Sequence, residues 1–130
     1  MANLIAEITP AEFDFQLFEG DDFLWERVLK EVDKLGNETA IPLDGYEAEF
    51  EVVDSEGASV FMLNSLSGGY PANDGIVLGT LDGSVVIYQQ DLPTPGDHTY
   101  AFRMMVPDTL GSTNTICYGK FVILEKIVTT

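Results

Sequence analysis

Between Gly45 and Gly57 the chain reads Gly-Tyr-Glu-Ala-Glu-Phe-Glu-Val-Val-Asp-Ser-Glu-Gly. On an extended backbone this puts Tyr46, Ala48, Phe50 and Val52 on one side and Glu47, Glu49 and Glu51 on the other. Strict alternation is the side-chain period of a half-buried β-strand. Asp54-Ser-Glu-Gly57 supplies turn residues, and Ser59-Val-Phe-Met-Leu63 reads as the returning strand of a hairpin. A chain organised around such a segment is expected to form a sheet with one apolar and one acidic face.

The same punctuation recurs along the chain. Glu12 to Phe18 alternates again, with Phe13, Phe15 and Leu17 on one face, and Glu19-Gly-Asp-Asp22 reads as a turn. Phe23 to Lys34 is ambiguous. Leu24, Val28, Leu29 and Val32 fit a helical face that Asp21 or Asp22 would cap, whereas Phe23, Trp25 and Val28 favour a strand. Because a sandwich needs its second strand here, the strand is expected. Gly36 to Thr39 reads as a loop, and Ile41-Pro-Leu-Asp-Gly45 leads into the diagnostic strand. Ser65 to Gly75, dense in turn formers, is the longest irregular connection. Asp82-Gly83 between Ile76–Leu81 and Ser84–Tyr88 predicts a tight hairpin. Pro93 and Pro95 exclude a central strand between Gln90 and Asp97. His98 to Val106 and Ile116 to Val128 read as two further strands, with a loop from Pro107 to Thr113 between them. With no convincing crossover helix, the expectation is an all-β, immunoglobulin-like antiparallel β-sandwich of about seven or eight strands. It would occupy residues 11–130 as one domain behind an arm of residues 1–10.

At 130 residues a single domain buries roughly two-thirds of the surface its unfolded chain exposes, so a sizeable core is available. The formal net charge of -16 is concentrated in the first half: residues 1–56 hold 16 acids and 3 bases, and residues 57–130 hold 6 and 3. Such a field repels phosphate backbones and anionic lipid surfaces, so neither nucleic acid nor membrane is an expected partner. It serves either solubility or docking onto a more basic surface. The lone Cys117 cannot form an internal disulfide and reads as a small buried hydrophobe. Residues 1–10 lack the charged start and long apolar run of a secretory signal, and no stretch approaches the ~20 apolar residues of a membrane span.

The tests for chemistry return little. His98 is the one histidine and no Gly-x-Ser-x-Gly turn exists, which argues against a nucleophilic triad. Opening a strand after Pro95-Gly96, His98 reads as a turn-edge residue. One His and one Cys make a zinc site improbable. A calcium site from Asp21, Asp22 and Asp44 lacks the expected loop spacing, and Gly68-Gly69 lacks the Lys-Ser/Thr of a phosphate loop. Acidic pairs are too abundant to single out two glycosidase carboxylates. No cofactor and no metal is therefore expected. Of the aromatic residues, Tyr70 in the glycine-rich loop is the best candidate for an exposed contact, and most of the others are expected in the core.

Taken in order, Phe15-x-Leu-x-x-Gly-Asp-Asp-Phe23, Ile41-Pro-Leu-Asp-Gly-Tyr-x-Ala48, a hairpin at Asp54-x-x-Gly57, a strand pair joined by Asp82-Gly83, and Tyr118-Gly-x-Phe-x-Ile123 closing on Val128-Thr129 form a pattern. The pattern resembles the small β-sandwich proteins and N-terminal domains of tailed-phage structural components, such as baseplate upper-protein and tail-fibre attachment modules. It departs from them by one polar residue before Gly45. The resemblance implies a non-enzymatic virion protein of the tail, baseplate, fibre adaptor or capsid decoration, assembled in the host cytoplasm. Its implied partners are other virion proteins and further copies of itself. The expected docking residues are Asp21, Asp22, Glu47, Glu49, Glu51 and Tyr70, facing a more basic neighbour. The alternative is a carbohydrate- or receptor-binding module using Tyr70 and its loop.

Overall fold

The computed structural model describes residues 11–66, 69–105 and 113–126, and within them the chain forms strands and no helix. In chain order these are β1 (Ala11–Glu12), β2 (Phe15–Phe18), β3 (Phe23–Val28), β4 (Lys30–Val32), β5 (Glu38–Ala40), β6 (Glu47–Val53), β7 (Ser59–Asn64), β8 (Gly75–Leu78), β9 (Ser84–Gln89), β10 (Gly96–Met105) and β11 (Thr113–Leu124). One sheet runs β1-β11-β10-β6-β7, with β2 also on β11. The second runs β3-β9-β8, and β4 and β5 pair with each other. The arm at residues 1–10, Gly68, the loop from Pro107 to Gly111 and Ser112, and the closing Val128-Thr129 lie outside the described residues.

The two larger sheets pack face to face because both present alternate apolar residues. From β6, Ala48, Phe50 and Val52 are buried. From β10 and β11 come Tyr100, Phe102, Met104, Phe121 and Ile123, and the opposing sheet supplies Phe23, Ile76, Val85 and Ile87. Aromatic rings join the layers. Phe23 meets Phe50 and Phe121 across the layers with centroids 5.5 and 5.0 Å apart, while within the larger sheet Phe50 stacks on Tyr100 at 5.0 Å. Such offset and edge-on pairs each add about 0.5–1.5 kcal/mol beyond the area they bury. The ambiguous Phe23 segment is thus a strand: Phe23 and Trp25 insert into the core, and a helix would leave the second sheet without an edge.

Four expectations change. The first edge is parallel, with β1 and β2 both running alongside β11 in the same direction. The chain steps sideways at Phe13-Asp14, where Phe13 N donates to Tyr118 O at 3.0 Å and Asp14 Oδ1 accepts from Lys120 N at 2.9 Å. Gly119 makes the step possible, since a Cβ there would lie 2.0 Å from Phe13 O. Second, Gly36 to Thr39 is not simply a loop, because β5 begins at Glu38 and closes a hairpin on β4. Its turn is organised by Asp33, whose Oδ1 accepts from Leu35 N at 2.8 Å and Asn37 N at 2.9 Å. Residues 31–39 are all exposed, Leu35 at 88%. Third, the strand before Asp82-Gly83 stops at Leu78. The reversal spans residues 79–83, closed by Gly79 N on Ser84 O at 2.8 Å and by Asp82 Oδ1 on Ser84 N at 3.0 Å. Fourth, His98 is not a turn-edge residue. It is 4% exposed, because it is in phase with Tyr100, Phe102 and Met104, and its Nε2–H donates to Thr94 O at 2.8 Å.

Candidate functional site

Full burial of Ala48, Phe50 and Val52 fixes which way β6 faces, so Glu47, Glu49 and Glu51 stand on the outer face of the larger sheet. A one-residue slip would exchange the two sets, placing three carboxylates in the core, which pins the register. Neighbouring rungs complete the surface. On β10, Met105, Arg103 and Ala101 stand opposite Glu47, Glu49 and Glu51, and on β7 Asn64 and Met62 stand opposite Glu49 and Glu51. Arg103 Nη1 lies 3.2 Å from Glu49 Oε1 and 3.8 Å from Glu51 Oε1. As partly exposed pairs these are worth about 0–1 kcal/mol. Their larger effect is geometric, holding two carboxylates around one guanidinium while Glu47 has no ion pair among the described residues. The face retains an acidic excess with Met62 and Tyr118 exposed within it.

Asp21, Asp22 and Tyr70 are elsewhere, at one end of the β3-β9-β8 sheet. Asp21 closes the β2–β3 turn, its Oδ2 accepting from Phe18 N at 3.2 Å. The turn is joined to the β9–β10 connection by Gly20 N on Leu92 O at 3.0 Å and Leu92 N on Asp21 O at 2.9 Å. Asp22 accepts from Asp91 N at 3.1 Å through Oδ1 and from the Tyr88 hydroxyl at 3.4 Å through Oδ2. Tyr70 stands edge-on to Tyr88, with centroids 4.9 Å apart at 76°. Asp74 Oδ1 accepts from Gln90 N at 2.8 Å. The six expected contact residues therefore form two groups: the β6 glutamates on the larger sheet, and, at one end of the smaller sheet, Asp22 and Tyr70 joined through Tyr88, with Asp21 beside them in the β2–β3 turn.

The nucleophile and base that the sequence offers are both inside and apart. In the β10–β11 register His98 faces Phe121 and Cys117 faces Phe102, four residues along β10. Burial pushes the Cys117 thiol up to about 11, against a smaller opposing effect of the Tyr100 hydroxyl beside it. Burial likewise raises the Tyr100 hydroxyl above its ordinary value of 10.0, with Cys117 adding to the shift. That hydroxyl donates to Phe13 O at 2.7 Å. Among the described residues no group of three or more His, Cys, Asp or Glu could hold a metal ion. Asp44 does not join Asp21 and Asp22 in any such group.

Two features were not anticipated from the sequence. Arg27 lays its guanidinium over the Phe13 ring at 4.8 Å and the Trp25 ring at 5.5 Å, covering an apolar gap of about 90 Å³ that reaches Cys117. Arg103 was legible only in principle: its phase within β10 puts it outside, but its glutamate neighbours follow from a pairing between distant strands. No family model matches the chain, and no curated protein matches it either.

Proposed function

We propose that this domain is a non-enzymatic docking subunit, in the role that the sequence resemblance implies for tailed-phage structural proteins: tail, baseplate, fibre adaptor or capsid decoration. The observation that carries the reading is the β6 glutamate row, held on an outer sheet face by complete burial of the residues between. A row fixed in this way presents charge without the entropy cost of ordering it on contact. The strand order supports the reading too. β3-β9-β8 packed on β11-β10-β6-β7 is a β-sandwich, a scaffold whose faces and end loops are free to make contacts. Fold alone does not assign a role. The partner face would be more basic, and repeated copies would follow the symmetry of the particle.

The test is quantitative peptide mass spectrometry of particles purified from the source, combined with reassociation of the recombinant chain. The expected result is incorporation at a fixed ratio to the major shell protein, near parity for a decoration role and far lower for a tail or fibre role. Reassociation should weaken as salt shortens the Debye length from about 10 Å toward 3 Å, and weaken further for the combined variant E47Q, E49Q and E51Q. Absence from any particle would overturn the virion assignment. Reassociation indifferent to both salt and the glutamates would overturn docking through this face.

A further inference from the structure

The outer face of the smaller sheet differs in chemistry from the glutamate face. Core-facing Phe23, Trp25, Val85, Ile87 and Ile76 set the phase of β3, β9 and β8. The opposite phase places Leu24 and Val28 on β3, Val86 on β9 and Val77 on β8 on the outside, together with Tyr88 on β9, which is only 7% exposed and has Tyr70 against it. Leu24 is 42% exposed, Val28 49%, Val77 41% and Tyr70 44%. Adjacent strands lie about 4.8 Å apart and same-face residues about 6.8 Å apart, so these side chains share one face across three strands, with Glu26 between Leu24 and Val28 and Ser84 opposite Val28. Its apolar content makes it unlike a solvated sheet face, where polar residues alternate outward. Both β3 and β8 pair only with β9 among the described strands.

The surround is acidic. Glu26 stands beside Val86 within the face, and Asp21, Asp22, Asp74 and Asp91 gather at the Tyr88 end, three of them through the bonds to Phe18, Asp91, Tyr88 and Gln90 described above. Arg27, on β3 beside the patch, turns toward Phe13 and Trp25. A second copy of this chain would bring the same carboxylates against these, a like-charge juxtaposition that costs rather than stabilises. A glycan would use Tyr70 but would leave Leu24, Val28 and Val77 unburied. The occupant that matches both the apolar centre and the acidic rim is a protein segment with apolar residues flanked by Lys or Arg.

The geometry points to a second docking face on the β3-β9-β8 sheet, one that takes an apolar segment bearing basic residues from a partner protein. Glutamates on one outer face and this patch on the other would make the domain a two-sided adaptor. The inference does not need the virion assignment, and it stands on residues that the glutamate-face test leaves untouched.

The experiment is amide chemical-shift mapping and calorimetry on the full chain, with a short synthetic peptide alternating lysine and valine as probe and a glutamate–valine peptide as control. The expected result is binding of the basic peptide alone, with shifts centred on Leu24, Val77, Val86 and Tyr88. The variant L24S with V77S should weaken it at least about tenfold, while E49Q with E51Q changes it by less than about twofold. Both serine substitutions fall on exposed side chains, and an unchanged thermal midpoint would show that the sandwich is intact. Absence of binding at low salt would overturn the inference, as would affinity insensitive to L24S with V77S, which would mean bulk charge attraction. So would a neutral oligosaccharide bound through Tyr70 in place of the peptide, or a dimer in sedimentation that V77K dissociates.

Discussion

Gly119→Ala tests whether the sideways step at Phe13-Asp14 holds the first edge of the sandwich. A Cβ at Gly119 would lie 2.0 Å from Phe13 O and 2.8 Å from both Phe13 C and Asp14 Oδ1, where ordinary contact begins near 3.4 Å. The edge would have to retreat by well over an ångström. Two of the bonds that hold it, Phe13 N to Tyr118 O at 3.0 Å and Lys120 N to Asp14 Oδ1 at 2.9 Å, would stretch past useful length. Each such bond is worth about 0.5–1.5 kcal/mol, and an overpacked contact costs about 1–3 kcal/mol. The expected loss is about 2–6 kcal/mol, a large part of the ~5–15 kcal/mol typical of a domain. Equilibrium urea unfolding measures it. Because Asp14 anchors the retreating segment, Gly119→Ala should cost about 1 kcal/mol less in an Asp14→Ala background than alone, a coupling that a double-mutant cycle isolates. A cost below about 0.5 kcal/mol, or strict additivity with Asp14→Ala, would refute the argument.

Two further outcomes follow from titrating groups. Hydrogen bonds from Asn37, backbone and side chain, hold the Asp33 carboxyl below its ordinary value of 3.8. Its contribution to the β4–β5 turn is therefore fully present above pH 3.8 and is lost as pH falls through the lowered folded value. Asn37 and Leu35 amide signals should follow that loss, and in Asp33→Asn the step should vanish. Cys117, with its thiol pushed up to about 11 by burial, should react with a thiol reagent at pH 8 only as fast as the chain opens, so its labelling rate should rise with urea in parallel with unfolding. Labelling at the rate of a free thiol in the native protein would contradict the burial.

Where an element of this fold was legible, apolar phase made it so. β6 announces itself because Phe50 and Val52 alternate with Glu49 and Glu51, and β10 carries the same signal from His98 to Met104, in which His98 falls on the inward phase. Phe23 and Trp25 decided strand over helix. The β4–β5 hairpin was partly hidden because nothing in it is buried, so its residues carry no phase and Asp33 alone marks its turn. The parallel pairing of β1 and β2 was hidden for another reason: the partner of an edge strand is chosen by residues more than a hundred positions away. The same non-locality separated the contact residues. Each of Asp21, Asp22, Tyr70, Glu47, Glu49 and Glu51 was correctly read as outside the core, or in a turn, but which sheet each belongs to is a property of the whole topology.

The β4–β5 hairpin also divides the protein energetically. Among the described residues its strands pair only with each other, and its residues 31–39 contribute no buried side chain to the core, so opening it exposes almost nothing that the sandwich needs covered. Two-stranded hairpins are marginal by themselves, and the fold should therefore hold two grades of stability: a low-energy opening confined to the hairpin and a cooperative one for the aromatic core. Sequence change is correspondingly cheap there. Residues 31–39 can be lengthened, recharged or replaced while Phe23, Phe50 and Phe121 keep their contacts, leaving that hairpin free to diversify at a rate the two sheet faces cannot match.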